Sequence, residues 1–338
     1  MESVTIKDIA RLAGVSPSTV SRAFNSREGV GSETRQNIID ICVSTGYMPN
    51  ALARGLVNRK TSTLGIMVPD VRSPFYAEVI ACTEEAAKDV NYDIMWCNNF
   101  RDYEREEKYF KLFIENRVEG VIFCPVGAES LVRLEKYIRL LPTVIIGDKF
   151  FSKDVSHIFT DNYQGGCIAA DHLIDKGHKD LMFVGLKPDR ISYQQRLEGF
   201  RDTAGHRGIV VRCLAGDISE EAGLERGYLL FKEFLESGDR MPDGIFAATD
   251  ATALGIIKIC EEKGIKIPED FSLIGFDDII YSSLPRIMLT TVSQGKKELT
   301  TGALQMLLKL IQNPACRKVC EKVVVPKLIE RNSCLNRN

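Results

Sequence analysis

From residue 64 onward, short apolar runs alternate with amphipathic stretches, and few folds tolerate that pattern. The runs are LGIMVPD (64–70), YDIMWCN (92–98), GVIFCP (120–125) and TVIIGD (143–148), then HIFTDN (157–162), DLMFVGL (180–186), GIFAATD (244–250) and LIGFDD (273–278). Amphipathic stretches at 75–90, 102–115, 194–204 and 220–236 lie between most of them. A strand that is apolar along its whole length is buried on both faces, the habit of parallel sheets covered by helices. The expected fold class is therefore α/β. Eight such units exceed one comfortable sheet, so two similar lobes are expected. With 338 residues, 44% hydrophobic and 27% charged, the chain has the size of two or three domains and an ordinary globular composition. No apolar run approaches the roughly 18–20 residues of a membrane helix. The opening MESVTIKDIARLAG carries Glu2 and Asp8 and lacks a secretory signal's apolar run, which points to the cytoplasm. Ten scattered cysteines with no CxxC spacing read as reduced, mostly buried side chains.

Ligands of open α/β sheets sit at the carboxyl ends of strands. Those ends carry Asp70, Asp148, Asp161, Asp250 and Asp277. Capping the next helix is the bland role, and for Asp161 and Asp250 it weighs as much as ligand binding. A polyol calls for carboxylates and arginine forks against its hydroxyls and an aromatic face against its C–H surface. Asp148, Arg196 and Asp277 suit the first need; Phe75, Tyr76 and Tyr193 suit the second.

Residues 5–46 read differently, as three short all-α elements. Thr5 caps the first, with Asp8 three residues on and Ile6, Ile9, Ala10 and Ala13 on its apolar face, and Gly14 stops it. Ser16 is an N-cap and Pro17 takes the first helical position, where its missing N–H costs nothing. The second helix buries Val20, Ala23 and Phe24 and ends at Asn25. Ser32 caps a third, closed by Gly46. Ala10, Gly14 and Val20 meet the needs of a tight helix crossing: a small contact residue, a left-handed turn and a β-branched core residue. That is the helix-turn-helix arrangement. Ser18, Thr19, Ser21 and Arg22 form a polar face of the kind a major groove accepts, although a plain three-helix bundle could carry such a face too. The net charge is −2, yet residues 1–60 hold eight basic and five acidic side chains. A basic head on an acidic body leans toward a polyanion partner. The segment PNALARGLV (49–57) is too short to hold a helix alone, and Gly55 weakens it further. Leu56 suits a wedge at a minor-groove base step.

TIKDIARLAGVSPSTVSRAFN followed by ALARGL resembles the DNA-binding head and hinge helix of the LacI/GalR family of bacterial repressors, and the resemblance extends over essentially the whole chain. It implies a two-lobed core of the type I periplasmic-binding-protein architecture behind the helix-turn-helix head, with crossings near 161, 291–294 and 326. The implied domains are 1–48 (head), 49–61 (hinge and linker), 62–161 plus 294–324 (first lobe) and 162–293 plus 325–338 (second lobe). DNA contacts are implied for Thr5, Ser16, Pro17, Ser18, Thr19, Ser21, Arg22 and Asn25, and for Asn50, Arg54 and Leu56 of the hinge. In the core, SPFY (73–76) is similar to the loop that closes over the effector. Arg196 matches the gripping arginine and Asp277 the aspartate of the other lobe. Asp148 and the Thr249–Asp250 turn match lining positions, and Arg190 and Ser192 lie within reach. Ile218 stands where purine-sensing members carry an aromatic, which favours a sugar or sugar phosphate.

The resemblance thus implies a repressor that binds a pseudo-palindromic operator as a homodimer under small-molecule control, with no cofactor, metal or membrane. Induction is the expected logic. KLIERNSCLNRN carries no leucine heptads, so a dimer is expected rather than a tetramer. The alternatives are an exported-type solute-binding protein, which would need a signal peptide, and a regulator that answers to a phosphoprotein corepressor. An enzyme is not expected. No GxGxxG follows the first strand, there is no Walker A or GxSxG motif, and His157, His172, His178 and His206 lack metal-ligand spacing.

Overall fold

The structure, a computed structural model, describes residues 4–25, 29–47, 61–148, 155–186, 190–215, 223–313 and 318–338. The chain divides into two units, Met1–Thr61 and Ser62–Asn338.

Local chemistry builds the first unit. Its helices are α1 (Ile6–Ala13), α2 (Pro17–Asn25) and α3 (Ser32–Thr45). Asp8 reaches back to accept from the Thr5 N–H at 3.1 Å and the Thr5 hydroxyl at 2.6 Å, which holds the start of α1. Gly14 ends α1 at φ 67°, a left-handed conformation that side chains resist. Ser16 Oγ then accepts from the Thr19 N–H at 3.1 Å and opens α2. Ile9, Ala10, Val20, Ala23, Ile38 and Cys42 form the core. One local expectation fails: Ser32 is not the cap of α3. Gly31 is the N-cap, because its carbonyl accepts the first helical bond, from the Arg35 N–H at 2.9 Å, and Ser32 becomes the first helical residue.

Two six-stranded sheets organise the second unit. The first contains β1 (Thr63–Val68), β2 (Asp93–Asn98), β3 (Val121–Phe123), β4 (Thr143–Ile146), β5 (Ser156–Thr160) and β11 (Glu321–Val324), in the order β11-β5-β4-β3-β1-β2, all parallel. The second contains β6 (Leu181–Leu186), β7 (Val211–Ala215), β8 (Gly244–Ala247), β9 (Ser272–Phe276), β10 (Thr290–Ser293) and β12 (Lys327–Ile329), in the order β12-β10-β9-β8-β6-β7, with only β12 antiparallel. Helices α4 (Pro74–Lys88), α5 (Tyr103–Glu115), α6 (Glu129–Leu140) and α11 (Lys296–Gln312) cover the first sheet. Helices α7 (Asn162–Asp175), α8 (Ile191–His206), α9 (Gly223–Ser237) and α10 (Asp250–Lys263) cover the second. Strand residues alternate between faces: Ile122 packs with Leu304 and Leu307 of α11, whereas Val121 and Phe123 pack with Phe110 and Phe113 of α5. The chain leaves the first lobe after Thr160, returns after Ser293, and crosses again between Val324 and Lys327. Strand β7 was absent from the apolar runs. It is an edge strand, half-buried and interrupted by Arg212, so it carries no continuous apolar signal. The nine described cysteines are free; Cys42, Cys97, Cys124 and Cys260 are buried and Cys320 is exposed, so fewer are buried than composition suggested.

Glycines set two helix crossings in the second lobe. A Cβ on Gly166 of α7 would stand 2.1 Å from the Arg196 carbonyl of α8, and one on Gly199 of α8 would stand 2.0 Å from the Tyr163 carbonyl of α7. Gly227 of α9 and Gly255 of α10 meet in the same reciprocal way, at 2.1 Å from the Thr252 carbonyl and 2.0 Å from the Leu224 carbonyl. The first crossing bears on function, because its contact point is the backbone of Arg196.

Candidate functional site

Two surfaces carry candidate residues. On the head, Ser16, Pro17, Ser18 and Arg22 are exposed, while Thr19 and Ser21 are half-buried. Ser18 and Arg22 stand one helical turn apart on one face. The Ser16 hydroxyl lies 2.7 Å from that of Ser18 and 2.9 Å from that of Thr19, so the first turn of α2 presents a pre-ordered polar edge. Thr5 is exposed but held by Asp8. Asn25 closes α2. Its side chain, and Asn50, Arg54, Leu56 and Ile218, lie outside the described residues.

The second surface is a cleft between the lobes, open to solvent, lined by Phe75, Tyr76, Asp148, Arg190, Ser192, Tyr193, Arg196, Thr249 and Asp277. Arg196 is its most constrained group, only 4% exposed. Its Nε donates to Asn162 Oδ1 at 2.8 Å and its Nη1 to the Ala248 carbonyl at 2.6 Å. Its guanidinium lies over Phe276, 3.6 Å from the ring centre, and 3.9 Å from Asp277 Oδ1. Asp277 follows β9 with φ at 115°, and Asp278 follows with φ at 52°. Two consecutive non-glycine residues in this region are held at a cost, and the surroundings over-determine them. Gln294 Nε2 donates to Asp277 Oδ1 at 2.6 Å, Lys296 Nζ donates to the Asp277 and Asp278 carbonyls, and Arg331 Nη2 donates to Asp278 Oδ1 at 2.6 Å. Burial pushes the Asp277 carboxyl above the usual range, and Arg196 opposes that shift. A ligand hydroxyl here meets a carboxylate and a guanidinium that are already in place.

The lobes also touch at the cleft. Arg190 of the second lobe donates from Nη1 to the Val126 carbonyl of the first. Glu78 of α4 ion-pairs with Lys296 at 2.9 Å and accepts from the Ile280 N–H at 2.9 Å.

Asp70 and Asp250 are not among the lining residues, and each carboxylate is occupied elsewhere. Asp70 is forked by Arg72, at 3.0 Å from both Nε and Nη2. Asp250 is fully buried and accepts from Thr291 Oγ1 at 2.5 Å, Ser282 Oγ at 2.7 Å and the Ile279 N–H at 2.9 Å. It stitches down the loop that aims Asp277. Thr249, not Asp250, caps α10, accepting from the Thr252 N–H at 3.1 Å. Asp161 caps α7, accepting from the Gln164 N–H at 2.9 Å. The sequence reading missed Arg101, Asn162 and Gln294, which also line the cleft. Arg101 and Gln294 follow strands β2 and β10, and Asn162 follows β5, so strand-end position was the available signal.

Glu106 supports the first lobe's wall from behind. It is 0% exposed, and its Oε1 accepts from Asn99 Nδ2 at 3.1 Å and the Val126 N–H at 2.8 Å. Burial raises its pKa to about 7. A carboxyl whose folded pKa lies above its unfolded value stabilises the protein most at low pH and loses that contribution as pH climbs toward 7. Glutamine mimics the protonated form and should remove that loss. Between pH 6 and pH 8, stability of the Glu106→Gln variant relative to the parent should therefore rise by on the order of 1 kcal/mol. Parallel urea titrations check this; a gap that does not change with pH contradicts it. The difference is the proper reading because half-buried His172 and buried His178, whose pKa values burial lowers, bend the parent's own curve the other way.

Comparisons with known proteins converge on this two-part design. The pattern of the bacterial regulatory proteins of the lacI family matches residues 5–50, and that of a periplasmic binding protein-like domain matches residues 170–334. The chain is 31% identical over 334 residues to the HTH-type transcriptional repressor PurR of Mannheimia succiniciproducens, covering 97% of this chain and 98% of that protein. This chain belongs to the LacI family of bacterial regulatory proteins. As a LacI-family member it is a DNA-binding transcriptional regulator, not an enzyme. Its fold is shared with the lac repressor dimer bound to operator and the anti-inducer ONPF, at a TM-score of 0.80 and 23% identity over 99% of this chain and 100% of that one. A LacI family transcriptional regulator from Enterococcus faecium with bound ribose is 28% identical, with a TM-score of 0.71 over 82% of this chain and 100% of that one. Among the described residues, no helix is long and apolar enough to cross a membrane.

Proposed function

We propose that this LacI-family regulator is a cytoplasmic repressor that binds a pseudo-palindromic operator as a homodimer and is released from it by a sugar or sugar phosphate held between the core lobes. The observation that carries the reading is the coexistence of an exposed Ser16–Arg22 edge on a helix-turn-helix with a cleft whose Arg196 and Asp277 are already oriented. One recognition helix makes too few base contacts for a useful specificity ratio, so two heads must act together on two half-sites. Pro17, Ser18 and Arg22 read the half-site, with Thr5, Ser16, Thr19, Ser21 and Asn25 supporting them. Arg22 has the reach and fork for a bidentate guanine contact. Asn50 and Arg54 of the hinge touch the DNA backbone, and Leu56 enters the minor groove. A ligand shared by both lobes favours one lobe orientation and shifts DNA affinity only by its differential affinity for the two states. Asp148, Arg190, Ser192, Tyr193, Thr249, Phe75 and Tyr76 complete the ligand's surroundings.

The test is operator affinity at fixed salt, with the site first located by selection from random duplexes. Arg22→Ala should lose roughly 1–3 kcal/mol of discrimination at one base pair while keeping its weak affinity for unrelated DNA. Unchanged discrimination removes Arg22 from the readout, and an intact protein that selects no sequence at all overturns the repressor reading.

A further inference from the structure

Among the described residues the cleft wall carries more positive than negative charge. Its described lining holds three arginines, Arg101, Arg190 and Arg196, against two aspartates, Asp148 and Asp277. Arg196 and Asp277 lie 3.9 Å apart and offset each other. Arg101 makes no ion pair among the described residues. The carboxylates nearest it in sequence and fold have other first partners: Asp102 caps α5 through the Glu104 and Arg105 N–H groups, Asp70 is forked by Arg72 and feels Arg101 only as a weaker, longer-range charge, and Glu106 is buried behind Asn99 and Val126.

The backbone holds Arg101 in a costly conformation. Phe100 and Arg101 take φ values of 54° and 61°, consecutive left-handed positions without glycine. Asn98 Oδ1 accepts from the Phe100 N–H at 3.3 Å, and Asn99 Oδ1 accepts from the Arg101 N–H at 2.9 Å. Glu106 accepts from the Asn99 amide and from the N–H of Val126, whose carbonyl receives Arg190. One buried carboxylate thus braces the loop bearing Arg101 and the loop against which Arg190 rests. Strain maintained at a cleft wall is a reason to look for function there.

We infer that the cleft's ligand carries an oxyanion, a phosphate or carboxylate, seated between Arg101 of the first lobe and Arg190 of the second. This rests on the cleft being the effector site and deepens that reading from a sugar in general to an anionic one. A charge-assisted contact to guanidinium groups on both lobes also ties the anion directly to lobe closure.

The probes are inorganic phosphate and sodium acetate, each against sodium chloride at equal ionic strength and fixed pH, with the melting midpoint of the full chain as readout. Phosphate also stabilises proteins by exclusion from their surface, so the decisive quantity is the difference between parent and variant. The parent should show a saturable rise with one of the two oxyanions, and which one it is separates phosphate from carboxylate. In the Arg101→Gln/Arg190→Gln double variant the half-saturating concentration should increase at least tenfold, and Arg101→Lys should fall between. Identical curves for parent and double variant overturn the inference, as does a parent that responds to neither oxyanion more than to chloride. If ribose or glucose instead raises the midpoint in parent and double variant alike, the oxyanion seat is gone while the effector cleft stands.

Discussion

Alanine in place of Gly166 should destabilise the protein by about 3 kcal/mol and weaken ligand binding together with it. Glycine within a helix usually costs about 1 kcal/mol relative to alanine, so a substitution judged by helix propensity alone would stabilise. Packing reverses the sign. The new methyl would lie 2.1 Å from the Arg196 carbonyl and 2.8 Å from the Phe200 nitrogen, both backbone atoms that no rotamer change can clear. Helices α7 and α8 must separate, and two contacts suffer. The buried face of Ala169, Ala170 and Leu173 against Leu197, Phe200 and Ala204 loosens, and Arg196 moves away from Asn162 on the neighbouring helix. Gly205, near the end of the same α8, supplies the control. Nothing lies within 4 Å of a Cβ built there, so Gly205→Ala should be neutral or stabilising by up to about 1 kcal/mol. Urea midpoints of the two variants decide the matter; equal and small effects would mean that the crossing relaxes freely and that the glycines do not set it.

Much of this architecture was legible because its causes are local or periodic. The head announces itself through turn chemistry: Gly14 must be left-handed, Ser16 caps, and Pro17 tolerates the first helical position. The parallel strands announce themselves through burial on both faces. Asp148, Arg196 and Asp277 could be named because their chemistry suits a polyol at strand ends or in a helix facing them. What sequence could not decide was which of several similar acids faces the cleft. Asp250 and Asp277 both follow apolar strands, yet Asp250 is claimed by hydroxyls 32 and 41 residues away, on Ser282 and Thr291. That pairing exists only after the lobe has folded. Arg101 escaped for a related reason. Its side chain reaches the cleft by way of two consecutive left-handed residues, a conformation that Phe-Arg does not advertise. Strand β7 escaped because an edge strand buries only part of itself.

Replacing Arg196 with alanine should lower affinity for the cleft's ligand by more than about 100-fold, roughly 3 kcal/mol, while operator affinity without ligand stays within a few-fold of the parent. The guanidinium is prepared before any ligand arrives. Asn162, the Ala248 carbonyl and the Phe276 ring fix its plane, so little rotamer freedom is lost on binding. Its removal also changes Asp277, whose carboxyl is already pushed upward by burial and is restrained chiefly by Arg196. Without that cation Asp277 should take up a proton at higher pH, and an acceptor of ligand hydroxyls becomes in part a donor. Arg196→Lys retains charge but cannot reach Asn162 and the Ala248 carbonyl together from one ammonium in the same plane, so most of the affinity should still be lost. The DNA-binding edge lies in the other structural unit, which is why operator affinity is the internal control. Titrating ligand into the operator complex by fluorescence anisotropy measures both quantities in one experiment. A variant that releases operator at the parent's ligand concentration removes Arg196 from the site. One that loses operator affinity without ligand shows instead that Arg196 acts through the stability of the second lobe. The vacated cavity and the loss of Asp277's cation should together cost about 2–4 kcal/mol even where binding is the main casualty, so only a urea midpoint that falls further than this assigns a loss of operator affinity to stability.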